Sequence, residues 1–308
     1  MTDDATSSAQ ETPGPRSTGR TRGIALTHYA GRAGDHNDRA MTASRGLAAA
    51  LAERLGVPPA VVGEPEPALS VGWTEELNAA LPTLRAVAAQ VDQDLAAGAV
   101  PVLASSRCAV ALATLPVVAR HRPDAVVVWF DAHADLNTPE DTTSGYLGGL
   151  AFSGPLGLWD SGLGAGLTPG NAVLVGARDI DPPEQRRIDD GVVTHVPVAH
   201  DLAERLRRAV AGRPVFVHVD CDVLDGGTVP TDYHVPGGPT LEDLAGAMRA
   251  LAESEVVGVE VGELESGPDE ETSRSSVDRL LGALEPLLHA VARPDPDSPA
   301  DRGRPPVG

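Results

Sequence analysis

The stretch Val126-Val-Val-Trp-Phe-Asp-Ala-His-Ala-Asp135 joins an apolar run to three side chains that can bind a metal ion. Residues 126–130 are β-branched or aromatic and do not alternate with polar residues, which predicts a parallel strand buried on both faces. Asp131, His133 and Asp135 follow where that strand ends, and open α/β sheets place their ligands at this position. Two carboxylates and an imidazole packed so closely would repel or desolvate one another, so the pattern favours a bound divalent cation.

A second apolar run, Val215–Val219, ends in a similar acidic cluster. Asp220 and Asp222 share one face of an extended chain, because they lie two residues apart, while Cys221 points away. The two strand ends together give candidate ligands rich in carboxylate, which suit two hard or borderline ions bridged by shared aspartates better than one tetrahedral zinc ion. Loop or capping roles could explain one such cluster, but not the same design at two strand ends.

Motifs at both strand ends resemble those of the ureohydrolases, the arginase and agmatinase superfamily. Residues 131–135 read Asp-Ala-His-Ala-Asp and residues 219–225 read Val-Asp-Cys-Asp-Val-Leu-Asp, and the likeness covers about residues 24–288. Members of this family hydrolyse guanidinium groups at a binuclear manganese centre. The resemblance implies a metal-dependent hydrolase acting on C–N bonds of linear amidines. It also implies a single doubly wound, three-layer α/β domain (23–292) with a mostly parallel sheet of about eight strands.

The resemblance further assigns a role to each acidic residue. The implied ligands of the two divalent ions are Asp131 and Asp220 as bridges, Cys108 and Asp135 at one site, and His133 and Asp222 at the other. Glu263, after the last predicted strand (Val256–Val261), would hold the guanidinium by a paired hydrogen bond, and with Asp135 it is a predicted catalytic residue. Asp225 would not bind the metal itself but would hold the ligands in position. Because Glu260 and Glu265 lie nearby, the sequence leaves open which of the three glutamates occupies the guanidinium-binding position.

The segment Ala104-Ser-Ser-Arg-Cys-Ala109 departs from the family pattern, which has two glycines, a variable residue and a metal-binding histidine here. Cys108 occupies the position of that histidine. A thiolate is softer than imidazole and suits zinc or iron better than manganese. We therefore expect Cys108 to be an altered ligand, with Mn²⁺ the expected metal elsewhere and zinc or iron an option at this site. The alternative is a buried, uncoordinated cysteine that behaves as a small apolar residue.

Four further residues resemble the amino-acid-binding positions of the arginase branch. Asn137 and Ser144 match residues that hold the α-carboxylate of the substrate, and Asp181 and Glu184 match residues near its α-amino group. Simple turn chemistry is the alternative for the first pair. A helix N-terminus, which favours Asp, Pro and Glu, is an equal alternative for the second.

Gly148 is the second departure, because arginases carry a proton-shuttling histidine at this position. Loss of that group leaves space beside the leaving nitrogen, and a hydroxyguanidine nitrogen is less basic than that of a guanidine. Both features favour N-hydroxy-L-arginine, with ornithine and hydroxyurea as products, and the chain looks similar to the hydroxyarginine hydrolases of actinobacterial antibiotic biosynthesis. Hydrolysis of arginine, agmatine or another guanidino compound is an alternative. A non-catalytic ureohydrolase-fold binding protein is another.

Composition limits the partners and the compartment. The chain of 308 residues carries a net charge of −20 and no lysine, which disfavours nucleic acids and anionic membranes as partners. Two cysteines are too few for a disulfide framework, so a reducing cytoplasm is expected. Residues 1–22 and 293–308 are polar or proline-rich and are predicted to be disordered tails. The resemblance suggests a homo-oligomer that takes a small guanidino amino acid as substrate.

Overall fold

The computed structural model describes residues 23–292, and both predicted tails lie outside the described residues. Within that range the chain forms eight strands and seven α-helices. The strands are β1 (Ile24–Tyr29), β2 (Ala60–Val62), β3 (Val100–Ala104), β4 (Val126–Phe130), β5 (Ala172–Val175), β6 (Thr194–Val196), β7 (Val215–Asp220) and β8 (Val256–Gly262). The helices are α1 (Arg39–Leu55), α2 (Trp73–Ala96), α3 (Ala111–His121), α4 (Pro182–Asp189), α5 (Leu202–Val210), α6 (Leu241–Leu251) and α7 (Glu270–Val291).

All eight strands belong to one sheet, in the order β2-β1-β3-β8-β7-β4-β5-β6. Every neighbouring pair is parallel, so the predicted fold class is confirmed. The three-residue strands β2 and β6 form the two edges, which keeps the exposed rows of unpaired backbone groups short.

Alternate side chains of β4 enter different cores, because successive residues of a strand point to opposite faces. Val126, Val128 and Phe130 pack with α1, α5, α6 and α7 on one face of the sheet. Val127 and Trp129 pack on the other face, where α2 and α3 lie. This two-sided burial explains why β4 carries no polar residue.

Local sequence sets the ends of several helices. Thr240 and Asp243 form a reciprocal capping box at the start of α6, and Asp269 accepts a hydrogen bond from the Thr272 amide at the start of α7. The α1 helix ends at Gly56, whose φ of 68° is left-handed and favours glycine. Within residues 23–292, no helix is both long enough and apolar enough to cross a membrane.

The order of the central strands brings distant segments together. Strands β3, β8, β7 and β4 are consecutive neighbours in the sheet, and parallel neighbours lie about 4.8 Å apart. Their carboxyl ends therefore lie along one edge, so the residues that follow each strand meet there.

Candidate metal centre

The end of β4 holds its metal-binding residues by hydrogen bonds within the strand and the following turn. The fully buried Asp131 accepts from the His133 amide at 2.7 Å and from the Trp129 indole at 2.9 Å. His133 Nδ1 lies 3.3 Å from Asp131 and 3.1 Å from Asp222. The imidazole is therefore aimed at carboxylates from two strands.

The end of β7 fixes the second pair of aspartates in the same manner. Asp220 Oδ1 accepts from the Asp222 amide at 2.7 Å, and Asp222 Oδ1 accepts from the Ala132 amide at 3.1 Å. Asp220 Oδ2 accepts from the thiol of Cys108, whose Sγ is 3.1 Å away. The turn after β3 thus meets the end of β7.

These contacts create two groups of three potential ligands. One group is Cys108, Asp131 and Asp220, the other is Asp131, His133 and Asp222, and the ligand atoms of each group lie within 4.8 Å of one another. Both groups share Asp131, so two cation positions would be adjacent and would have a common carboxylate. This arrangement fits a pair of divalent ions.

The ionisation of these residues also fits bound cations. Burial, followed by repulsion from neighbouring acids, raises the pKa of Asp135, Asp220 and Asp222 above the usual aspartate value. Burial alone would lower the pKa of His133, but its bonds to Asp131 and Asp222 raise it to about 12. Divalent cations would remove the repulsion, since carboxylates and imidazole bind them in their unprotonated forms.

Cys108 lies in a short 3-10 turn, Cys108–Val110, just beyond β3. Its fully buried Sγ lies 3.1 Å from Asp220 and 3.1 Å from His218 Nε2. The His218 ring stacks on Trp129 with centroids 3.7 Å apart. Sequence reasoning passed over His218, because it lies inside the apolar run of β7. The thiol is thus placed among the candidate ligands, and its role as a ligand stays a prediction.

Glu263 is the glutamate after β8 that reaches the cavity. Glu260 is fully buried inside the strand and accepts from the Thr114 hydroxyl at 2.7 Å. Glu263 adopts a left-handed φ of 61°, and its Oε1 accepts from the Cys108 amide at 2.9 Å. The bend after β8 thus turns this carboxylate toward the metal ligands.

Arg107 is a functional neighbour that sequence reasoning missed. Its fully buried guanidinium donates to Glu263 Oε2 at 2.7 Å, to Asp35 at 3.0 Å and to Glu265 at 3.1 Å. An arginine inside an otherwise small and apolar segment, 104–118, was the available signal. Arg107 therefore balances part of the charge of Glu263.

A cavity of about 220 Å³ opens onto these groups. Its wall includes most of the predicted metal-binding and substrate-binding residues: Cys108, His133, Asp135, Asn137, Ser144, Asp181, Glu184, Asp220, Asp222 and Glu263. Tyr146 and Tyr233 also line it. The strand ends and the loop after β4 therefore share one pocket.

The predicted amino-acid-binding residues are linked to one another. Asn137 Nδ2 donates to Asp181 Oδ2 at 2.9 Å, while Asn137 Oδ1 is buried without a hydrogen-bond partner among residues 23–292. Glu184 accepts from the Asp181 amide and from the Leu136 amide, each at 2.9 Å. Burial raises the pKa of Glu184 to about 7. Asp181 and Glu184 form the capping box of α4, and they also line the cavity. The structure is therefore compatible both with a capping role and with a substrate-binding role for this pair.

Ser144 and Asp225 lie nearer the surface. Ser144 is exposed and accepts a bond from the Tyr146 amide at 3.2 Å. Asp225 is also exposed, and its Oδ1 accepts from the Gly237 amide at 2.7 Å. Asp225 therefore holds the loop that follows β7, and its support of the ligands stays a prediction.

Comparisons of the sequence and of the structure with known proteins all point to arginase-type proteins. The model of the arginase family matches residues 39–282. The N(omega)-hydroxy-L-arginine amidinohydrolase of Streptomyces lavendulae is 41% identical over 262 residues, which cover 85% of this chain and 96% of that protein. The native arginase structure from Bacillus caldovelox is similar with a TM-score of 0.71 and 25% identity, covering 87% of this chain and 98% of that one. The Bacillus subtilis arginase structure gives a TM-score of 0.72 at 21% identity, over 87% and 98% of the two chains.

Proposed function

The chain belongs to the arginase family and is a hydrolase of C–N bonds in linear amidines, and from that premise we propose that it converts N-hydroxy-L-arginine to ornithine and hydroxyurea. The observation that carries the proposal is the pair of ligand groups sharing Asp131 beside a cavity lined by the predicted amino-acid-binding residues. The similarity to the Streptomyces lavendulae enzyme supports this choice of substrate.

The proposed cofactors are two divalent ions, with Mn²⁺ as the expected metal and zinc or iron as options beside Cys108. Their proposed ligands are Cys108, Asp131, His133, Asp135, Asp220 and Asp222. Bound there, the ions would supply the Lewis acidity that makes water a nucleophile at neutral pH. We also propose a cytoplasmic homo-oligomer; the two free, buried thiols, Cys108 and Cys221, suit a reducing compartment.

The protein's own residues would orient both ends of the substrate. Glu263 would bind the hydroxyguanidine head over the nucleophile, and Asp135 is its proposed catalytic partner in the same cavity. Asn137 and the Ser144 hydroxyl would hold the α-carboxylate, and Asp181 and Glu184 would lie near the α-ammonium group; all four residues line the same cavity. Holding both ends fixes the scissile carbon relative to the nucleophile, which is a large part of enzymatic rate enhancement.

A substrate panel tests the proposal. Full-length protein reconstituted separately with Mn²⁺, Zn²⁺ or Fe²⁺ is given N-hydroxy-L-arginine, L-arginine or agmatine, and release of urea or hydroxyurea is measured. We expect the highest kcat/KM with N-hydroxy-L-arginine. Equal or greater kcat/KM with L-arginine would reject the substrate preference. Fewer than about one ion per chain in protein purified without chelator would instead favour a non-catalytic binding protein.

Replacement of Asn137 or Ser144 by alanine tests how the amino-acid end is recognised. Agmatine lacks the α-carboxylate, so it serves as the internal control within each variant. We expect the KM for amino-acid substrates to rise while any turnover of agmatine changes less. Equal effects on all three substrates would show that these residues only shape the loop.

A further inference from the structure

Gly148 is a glycine because a neighbouring ring occupies the space beside it. A Cβ atom built at residue 148 would lie 2.4 Å from Tyr146 Cε1 and 2.9 Å from Tyr146 Cζ, closer than atoms can approach without a shift of the ring. The residue begins a short 3-10 turn, Gly148–Leu150, and its backbone does not need the left-handed region. The Tyr146 ring and a side chain at 148 therefore exclude each other.

The same ring places a hydroxyl at the head-group end of the cavity. Tyr146 lines the cavity, and its phenol donates to Glu263 Oε1 over 3.4 Å. This is long for an O–H···O bond, so the proton can be redirected to a better acceptor. The ring packs against His36, with centroids 4.5 Å apart, and against Tyr233 at 5.9 Å. A head group bound by Glu263 would lie within reach of the Tyr146 hydroxyl.

Tyr146 is a neutral hydrogen-bond donor at physiological pH. Burial, and then the charge of Glu263, raise its pKa well above the usual tyrosine value. The nitrogens of a guanidinium offer only N–H donors, so they give the phenol proton no new acceptor. An N-hydroxyguanidine adds an oxygen that can accept it. The hydroxyl therefore contributes differently to the binding of the two head groups.

We propose that Tyr146 is the specificity residue for an N-hydroxylated head group. Its ring fills the room that a side chain at residue 148 would need, and its hydroxyl donates to the N-hydroxyl oxygen of the substrate. This inference rests on the proposed function. Discrimination by a hydrogen bond is larger where a site is built around a substrate hydroxyl. A preference of about tenfold from this one contact is therefore reasonable.

Tyr146→Phe keeps the ring and removes only the hydroxyl. In the metal-loaded full-length protein, we expect the ratio of kcat/KM for N-hydroxy-L-arginine to that for L-arginine to fall about tenfold. The ratio of the inhibition constant of hydroxyurea to that of urea should rise, since only hydroxyurea carries the oxygen that accepts from Tyr146. Tyr29→Phe is the matched control, because Tyr29 lies in the core and donates to the Arg32 carbonyl at 3.0 Å.

Gly148→Ala provides the second test, because the new methyl group must displace the Tyr146 ring. We expect it to lower the same kcat/KM ratio while metal content stays that of the wild type. An unchanged ratio in both variants, or an equal loss with both substrates, would overturn the role of Tyr146 and leave the proposed function standing. Wild-type protein that hydrolyses neither substrate would remove the proposed function and, with it, this inference.

Discussion

Cys108 shows how one side chain at the candidate metal centre depends on its immediate neighbours. Burial, and then the nearby charge of Asp220, raise the pKa of the Cys108 thiol well above its usual value. The thiol therefore keeps its proton and donates it to Asp220 in the absence of cations. A coordinating cation reverses this preference, because it deprotonates the thiol it binds. The residue is consequently inert as a nucleophile without metal and suited to ligation with it.

Cys108→Ala tests the ligand role directly. We expect bound metal to fall from about two ions per chain to about one, because one ligand group loses a member. Elemental analysis of protein purified without chelator gives the stoichiometry. Cys221→Ala is the matched control, since Cys221 is equally buried but packs in the apolar core. Unchanged stoichiometry in Cys108→Ala would refute the role of the thiol.

Arg107 pairs with three buried carboxylates, so we expect it to contribute strongly to the stability of the fold. Arg107→Met would leave Asp35 and Glu265 buried without their shared cation and would free one oxygen of Glu263. Removal of one partner from such a buried network costs about 3–5 kcal/mol. We expect a loss of this size in the free energy of unfolding, measured by denaturant titration.

The half-exposed Arg39 is the control for Arg107. It contacts the same Glu265, with its Nη2 2.7 Å from the carboxylate, and its side chain is 54% exposed. Solvent screens such a pair, so Arg39→Met should cost less than about 1 kcal/mol. Similar losses in both variants would contradict the distinction between buried and screened pairing.

The residues that sequence reasoning found and missed differ in the range of their interactions. Asp131, His133 and Asp222 could be predicted, because each follows an apolar strand within a few residues. The composition around Arg107 marks it as unusual, but its partners could not be predicted, since Asp35 and Glu263 lie 72 and 156 positions away in the chain. Local patterns report which side chains end a strand, and they do not report which distant charges meet.

At the scale of elements, α3 is a helix that periodicity in the sequence does not mark. Its residues Ala111–Val118 are all buried, and Pro116 lies inside it. A helix that is apolar on every side lacks the 3.6-residue alternation by which surface helices are recognised. The amphipathic α5 (Leu202–Val210), by contrast, buries Leu202, Leu206 and Val210, and this four-residue spacing of apolar side chains is the pattern by which a surface helix is recognised in a sequence.

Arg178, which follows β5, holds the loop after β7 through backbone carbonyls. Its guanidinium donates to the carbonyl groups of residues 176, 222, 223, 224, 235 and 236 over 2.8–3.3 Å. One of these is the carbonyl of Asp222, a candidate ligand. Because five donors in a planar fork are unique to arginine, this clamp fixes the loop that carries the ligand.

Arg178→Lys should therefore loosen the loop while keeping the charge. We expect faster amide hydrogen exchange over residues 222–238 and metal affinity weaker by about tenfold or more, as is usual when a ligand loses its support. Arg186→Lys, on the exposed face of α4, is the control. Exchange and affinity equal to those of the wild type in Arg178→Lys would contradict the clamp.

At the scale of the whole molecule, the order of the strands creates the site. The chain passes from β6 at one edge back to β7 in the centre, beside β4, so acids 89 positions apart in sequence become neighbours. The pattern of apolar runs predicts the number and kind of strands. It cannot predict their order, because buried parallel strands of valine and leucine resemble one another and their pairing depends on the entire fold.

Removal of metal should destabilise the whole protein, and more so as the pH rises. The raised pKa values of Asp135, Asp220 and Asp222 mean that the metal-free folded state holds protons more tightly than the unfolded chain. Its stability is therefore fully present below the ordinary aspartate pKa and falls as the pH rises. The stabilisation by bound metal increases as the pH rises, because the metal ligands must be deprotonated.

The difference in Tm between metal-loaded and chelator-treated protein should consequently widen between about pH 5 and pH 8. Thermal unfolding followed by circular dichroism at each pH measures it. Asp220→Asn removes one of the repelling acids, so the metal-free variant should lose stability less steeply with pH than the metal-free wild type. A gap in Tm that stays constant with pH, or a metal-free protein that gains stability as the pH rises, would contradict a site built from crowded acids that cations hold together.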